Sequence, residues 1–205
     1  GETGEFSSLL EKIGIPQTSC SSKICKLTFD KHEYVKFINS FNLKTAKQFF
    51  IKKGEEYNVN NIIEKTGIPC FVKPNKSGSS FGISKVTNKD LLNEKIDYAF
   101  EEGDEVLIES FLDGKEVSVG VINIDGQRTI LPITEIRSKN EFFDFDAKYN
   151  GESDEITPGE LTISELDDIH KMINTIYDNI NLSGITRSEI ILVDRIPHIL
   201  ETNTI

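Results

Sequence analysis

No run of apolar residues in this chain of 205 approaches the roughly 20 that span a bilayer, so neither a membrane segment nor a membrane partner is expected. Basic residues are also short in supply. Lys and Arg number 23 against 34 Asp and Glu, a formal net charge of −11. A dedicated nucleic-acid binder carries a basic excess, so nucleic acid is not expected as a partner. A small phosphate site stays open, because it needs only a few local cations. Cysteines are few: Cys20, Cys25 and Cys70 cannot pair completely and match no zinc spacing. That usage points to a reducing cytosol, hence a cytoplasmic protein, rather than a secreted one. Internal repeats and low-complexity tracts are absent. What is present, 37% hydrophobic and 28% charged residues, is too apolar for disorder and sufficient for one or two compact domains. The chain opens at Gly1 without a methionine and stops at Ile205 inside an apparent motif, so missing pieces are expected at both ends.

Residues 1–41 read mostly as helix. Leu9, Leu10 and Ile13 follow one face until Gly14-Ile15-Pro16, and a polar Ser/Cys/Lys loop comes next. Asp30 then stands as an N-cap ahead of Tyr34, Phe37, Ile38 and Phe41. A small α+β unit follows. It has a strand near 46–50, a helix over 59–66 closed by Gly67 and Pro69, and strands at 70–73 and 82–86. A helix capped by Asn88 runs to about Phe100. Strands are then expected at 106–111, 116–124 and 128–134, with Asp125-Gly126 as a hairpin turn. Residues 137–160 form a long polar loop, a length that usually marks a lid or disorder. Its Phe142, Phe143 and Phe145 call for a docking surface. Ser164 caps a helix that ends near Gly184, and strands at 185–193 and 197–204 close the chain.

That closing hairpin carries the sharpest local chemistry. Alternation puts Arg187 with Glu189 on one face and Glu201 with Asn203 on one face. With Asp194-Arg195-Ile196 as the turn, Glu189 lies opposite Glu201 and Arg187 opposite Asn203. Ile191, Val193, Pro197 and Ile199 share this face, which therefore reads as inward. Two facing carboxylates repel, and burying them unpaired costs several kcal/mol. A divalent cation resolves the conflict, and an all-oxygen set suits Mg²⁺ or Mn²⁺ rather than zinc. The plainer alternative is a solvated edge hairpin.

The loop from Lys73 to Gly82, KPNKSGSSFG, is the second signal. Its glycines and hydroxyls let backbone N–H groups wrap an anion, and its lysines add charge. It is no Walker A loop. Gly78–Gly82 fits the esterase pattern G-x-S-x-G, but a strand follows instead of a helix, and no histidine is placed to serve it. A glycine-rich hairpin without function competes with phosphate binding. Lys31, Glu109, Glu116, Lys148 and Tyr149 each read alone as ordinary solvated residues.

Taken together, these segments resemble the D-alanine–D-alanine ligase family of the ATP-grasp fold over the whole chain. Gly1-Glu2-Thr3-Gly4 with Leu10…Gly14-Ile15-Pro16 is similar to the family's G-E-D-G…L-G-I-P. Leu27–Lys31 resembles A-L-x-M/F-D-K. Phe71–Pro74 with Gly78–Val86 resembles F-V-K-P-x-x-x-G-S-S-x-G-I-S-K-V, the most specific match. Leu131-Pro132…Glu135, the stretch FFDFDAKY ending at Tyr149, and Ile156-Thr157-Pro158 resemble its mobile loop. Glu201–Thr204 resembles the metal motif E-x-N-T.

The resemblance implies an α+β fold in which two ATP-grasp subdomains sandwich the nucleotide. Residues 1–44 would be a remnant of the N-terminal region and a linker helix. Residues 45–112 would be the central subdomain, and 113–205 a truncated C-terminal one. Lys31, Lys73, Ser79, Ser80 and Lys148 would hold phosphates. Glu109, Ser110, Phe111 and Leu112 would line the adenine site, and Glu116 would take the ribose. Glu189, Glu201 and Asn203 would carry magnesium, with Arg187, Ser79 and Tyr149 as the catalytic set. The implied activity is ATP-dependent joining of two D-alanines through an acyl-phosphate, supplying peptidoglycan precursors for cell-wall growth and cell shape. A full-length homodimer is implied as well. The intact Ala147-Lys148-Tyr149 favours an amine as second substrate. The family's first D-alanine site and its P-G-M/F-T-x-x-S segment are not present. Glu189 stands where aspartate is usual, Ser188 where an apolar residue is, and Phe143 where tyrosine is frequent. Another ATP-grasp carboxylate–amine ligase, or a nucleotide-binding fragment without catalysis, are the alternatives.

Overall fold

The computed structural model describes residues 2–78, 80–138 and 153–204. The helices are α1 (Glu5–Ile13), α2 (Ser22–Phe29), α3 (Lys31–Asn39), α4 (Val59–Thr66), α5 (Leu92–Ala99) and α6 (Ile163–Asn179). The strands are β1 (Gln48–Lys52), β2 (Cys70–Pro74), β3 (Ser84–Val86), β4 (Glu105–Ser110), β5 (Lys115–Ile124), β6 (Gln127–Ile130), β7 (Thr134–Ser138), β8 (Ser153–Ile156), β9 (Gly184–Val193) and β10 (Ile196–Asn203). Contacts divide them into two units. One comprises residues 30–32 and 46–112, the other 1–29, 33–45 and 113–205.

The first unit is an antiparallel sheet in the order β1-β4-β2-β3. Alternation gives it two unlike faces. Ile51, Cys70, Val72, Val86, Val106 and Ile108 are buried against Ile62 of α4 and against Leu92, Ile96 and Ala99 of α5. Asn58 caps α4 by accepting from the Asn60 amide, and Gly67 closes it with a positive φ of 74°, its amide donating to the Ile63 carbonyl. Asn88 caps as expected, but what it caps is a 3₁₀ turn, Lys89–Leu91, that leads into α5. The opposite face of the sheet carries Gln48, Phe50, Phe71, Lys73, Lys85 and Glu109.

The second unit is a six-stranded sheet in the order β10-β9-β5-β7-β8, with β6 paired to β5. Val117, Val119, Val121, Ile190, Leu192 and Ile199 pack on Ile169, Ile173 and Ile176 of α6 and on Tyr34 and Ile38 of α3. Four sequence expectations need correction here. The polar Ser/Cys/Lys stretch is partly the helix α2, because Cys25 and Thr28 supply a buried face that its polar look conceals. Residues 128–134 are two strands, since Leu131–Ile133 break the ladder between β6 and β7. β8 emerges from the expected loop, pairing Ser153–Ile156 with β7. The rest of that loop, 139–152, lies outside the described residues, together with its Phe142, Phe143 and Phe145. The cap of α6 is Thr162, not Ser164. Thr162 Oγ1 accepts from the Glu165 amide while the Glu165 carboxylate accepts from the Thr162 amide, a reciprocal pair that satisfies two donors at once.

The β9–β10 hairpin turns on two residues, Asp194 and Arg195, both with positive φ (49° and 67°), rather than on three. A shorter turn alone would shift every pair by one. A bulge between Ile199 and Glu201 adds the residue back, so Glu189 does face Glu201 and Arg187 does face Asn203. The bulge also changes which residues share a face. Ile199 pairs with Ile190 on the core side, whereas Glu189 and Glu201 sit on the side turned away from that core. The carboxylate face is therefore not the inward hydrophobic one. By the same shift His198, opposite Ile191, joins the side of Glu201. Among the described residues no helix is long and apolar enough to cross a membrane.

Candidate active site

In the first unit the polar face of the sheet is built around a buried ion pair. Lys73 on β2 meets Glu109 on β4, their side chains only 12% and 7% exposed. Gln48, directly across from Glu109 on β1, donates to its other oxygen at 2.7 Å. Glu109 is thus no surface glutamate. A carboxylate at this depth persists because both of its oxygens are engaged. Beside the pair, Phe71 and Phe111 approach with centroids 6.0 Å apart, and the Lys85 ammonium lies 4.5 Å from the Phe111 ring. Ser110 ends β4 and Phe111 and Leu112 follow it, all three half-buried.

The start of α3 joins this unit through Asn75, which is fully buried. Its side-chain oxygen accepts from the His32 amide at 2.8 Å, and its NH₂ donates to Asp30 and Glu105, each at 2.9 Å. Lys76 bridges the same two carboxylates, and its hydrogen bond holds the Glu105 carboxyl below the usual range. Lys31 Nζ donates to the Ser77 carbonyl at 2.6 Å, so the helix start and the glycine–serine loop are tied together. Ser80 has φ 60°, a left-handed conformation within that loop. Ser79 lies outside the described residues.

In the second unit Glu189 is 8% exposed, and Glu201 and Asn203 are half-buried across the ladder from Glu189 and Arg187. Arg187 Nε donates to Glu189 Oε1 at 2.7 Å, which places a cation beside the facing carboxylates. Glu116, half-buried on β5, lies opposite Ile191 and so shares this face with Glu189. No three His, Cys, Asp or Glu side chains gather into a metal cluster among the described residues. The candidate cation set is two carboxylates and the amide oxygen of Asn203, an all-oxygen set that fits a hard divalent ion. Lys148 and Tyr149 lie outside the described residues. Sequence reasoning overlooked Gln48, Asn75 and Lys85. Gln48 and Lys85 were detectable as polar residues in alternating strands, whereas the role of Asn75 needs the fold.

The family described as "D-ala D-ala ligase C-terminus" matches residues 37–205. The chain belongs to the D-alanine–D-alanine ligase family. A D-alanine–D-alanine ligase from Flavobacterium johnsoniae is 47% identical over 205 residues, all of this chain and 64% of that relative. One from Christiangramia forsetii is 44% identical and is covered to 63%. The VanG D-Ala:D-Ser ligase of Enterococcus faecalis superposes with a TM-score of 0.88 at 31% identity, over all of this chain and 60% of that one. A Bacillus anthracis D-alanine–D-alanine ligase complexed with ATP superposes at 0.82 and 28% identity, covering all of this chain and 64% of that one. This family member has the α+β ATP-grasp fold, and it spans less than two thirds of the length of these relatives.

Proposed function

We propose that these residues form the nucleotide-handling part of a cytoplasmic ligase that joins two D-alanines at the expense of ATP. The product would feed peptidoglycan synthesis, and the full-length protein would work as a homodimer. The observation that carries the proposal is the Glu189–Glu201 pair. In a family member, two facing carboxylates with Asn203 beside Glu201 are a set that a divalent ion completes. Glu189, Glu201 and Asn203 would hold magnesium, which when bound would neutralise triphosphate oxygens.

The other roles follow from charge and depth. Lys73 and Lys31 would contact phosphates together with the Ser80 loop. Glu109, Ser110, Phe111 and Leu112 would take the adenine, and Glu116 the ribose hydroxyls. Ser79, Lys148 and Tyr149 enter on their sequence motifs. One D-alanine carboxylate would attack the γ-phosphate, giving an acyl-phosphate and ADP. The amine of the second D-alanine would then displace phosphate. Arg187, 59% exposed at its side chain, would stabilise the developing acyl-phosphate in the first step and the tetrahedral oxyanion in the second. The protein's contribution is positioning and charge neutralisation.

Calorimetric titration of the chain with a non-hydrolysable ATP analogue tests this. Binding should need Mg²⁺, vanish with a chelator, and weaken at least about tenfold in Glu201→Gln, as loss of a charge-assisted contact implies. Unchanged affinity of Glu201→Gln at saturating Mg²⁺ would overturn the cation assignment.

A further inference from the structure

Behind the candidate cation residues, the buried face of β9 and β10 changes character. Near the turn it is hydrocarbon: Ile190, Leu192 and Ile199. Beyond the bulge it becomes hydroxyl, with Thr186, Ser188, Thr202 and Thr204 all 3% exposed or less. Each of these hydroxyls is bonded to another. Ser188 Oγ and Thr202 Oγ1 are 2.8 Å apart, and Tyr34 Oη lies 2.5 Å from Thr202 Oγ1. Thr28 and Thr204 are 3.1 Å apart, and Tyr177 bonds Thr186. Ser188 lies between Arg187 and Glu189 in sequence, and Thr202 lies between Glu201 and Asn203.

The bulge makes this row matter. Without its extra residue, the register set at the turn would continue and place Glu201 opposite Ser188 and Thr202 opposite Arg187. A one-residue slip exchanges the two faces of a strand. It would put the Glu201 carboxylate into the core and the Thr202 methyl outside. Repulsion between Glu189 and Glu201, eased at Glu189 by the Arg187 ion pair, works against the observed register in the absence of a metal ion. A hydroxyl pair exists only in the observed register, because only there do Ser188 and Thr202 stand opposite each other.

We infer that Ser188, Thr202 and Tyr34 are positioning residues that lock the post-bulge register, so that Glu189 and Glu201 face each other before any cation arrives. The inference deepens the proposed cation site and rests on it. Buried hydroxyls are costly when unpaired and directional when paired, so the chain Tyr34–Thr202–Ser188 specifies one alignment where hydrocarbon would accept two. An aliphatic side chain at position 188 would pack without choosing. Tyr34 ties the pair to α3 in the same unit and keeps the Thr202 hydroxyl satisfied from the core side.

The test uses Mn²⁺ titration of the chain with a saturating non-hydrolysable ATP analogue, followed by paramagnetic relaxation. Ser188→Ala, Thr202→Val, Tyr34→Phe and the conservative Thr202→Ser are compared with Glu201→Gln. Thr202→Val and Ser188→Ala should bind Mn²⁺ about five- to tenfold more weakly, the worth of one hydrogen bond, while Thr202→Ser stays within about twofold of the parent. Cross-strand proton contacts between residues 189 and 201, measured without metal, should weaken in Thr202→Val and persist in Thr202→Ser. Tyr34→Phe and Ser188→Ala remove one oxygen each, and they decide the matter if Thr202→Val fails to fold. Parent-like Mn²⁺ affinity and intact 189–201 contacts in those variants would overturn the positioning role alone. A Glu201→Gln variant that binds Mn²⁺ like the parent would instead overturn the cation site itself.

Discussion

A charge buried beside its partner is worth little as a pair and much as a constraint, because either member left alone is an uncompensated ion. Lys73 and Glu109 are in that position, each less than 13% exposed at the side chain. Lys73→Met should therefore cost about 3–5 kcal/mol of stability, leaving Glu109 with Gln48 as its remaining neutral partner. The double variant Lys73→Met/Glu109→Leu should recover much of that loss while still binding nucleotide poorly. Urea denaturation of the single and double variants checks this, and equal losses in both would show that the pair is not buried in solution. The Lys73 motif was legible in sequence, but the depth of Glu109 was not. Alternation assigns a residue to a face and says nothing about what covers it. Gln48 went unnoticed for the same reason, since its importance comes entirely from standing opposite Glu109.

At the scale of elements, caps and turns decide where the chain bends. Thr162 and Glu165 close the start of α6 reciprocally, so Thr162→Ala should cost about 1 kcal/mol. The same pair carries a pH signature. Hydrogen bonds from the Thr162 amide and hydroxyl hold the Glu165 carboxyl below its ordinary value. A carboxyl whose pKa is lower when folded contributes stability that is complete above the unfolded value, about 4.3, and is lost as pH falls through the folded one. Urea midpoints between pH 7 and pH 3 should thus fall less steeply on the acid side in Glu165→Gln than in the parent. The β9–β10 turn offers the opposite case. Arg195 holds a left-handed backbone without being glycine, so Arg195→Gly should stabilise by about 1 kcal/mol, or roughly 2–4 °C in Tm. A lowered melting temperature would mean that the Arg195 side chain matters more than its backbone. Gly184, by contrast, must stay glycine: with φ 68°, any Cβ would overlap the Thr18 carbonyl. The helix over 59–66 was readable because Gly67 and Pro69 mark its stop, and Asn58 caps it in the structure. The hairpin was readable only by a cancellation, a turn taken one residue too long offsetting a bulge that leaves no sequence mark. The α6 start was missed by two residues, since Thr162 and Ser164 are equally good caps by type and only the Glu165 spacing separates them.

At the scale of the whole molecule, family and fold were legible because the F-V-K-P…G-S-S-x-G and E-x-N-T patterns are long and specific. What these residues can do alone is a separate question, because the chain spans 64% of its Flavobacterium johnsoniae relative. Lys31, Lys73, Glu189, Glu201 and Arg187, to which the proposal gives the phosphate, cation and oxyanion roles, are all within it, so nucleotide binding should be intact. Neither D-alanine pocket is assigned to these residues by the resemblance, and orientation of reactants accounts for roughly 7–11 kcal/mol of a barrier. Losing even half of it lowers the rate about a thousandfold, at ~1.4 kcal/mol per decade. Phosphate release with ATP and D-alanine should therefore be at least about a thousandfold slower for the 205-residue chain than for a ligase of the relatives' full length. D-serine belongs in the assay as a second acceptor, because one of the superposed structures is a D-Ala:D-Ser ligase. The nucleotide affinities of the two proteins should meanwhile agree within a few fold. Comparable turnover would mean that the amino-acid sites reside within these residues. Weak nucleotide binding by the shorter chain would mean that the phosphate grip itself depends on the remaining third.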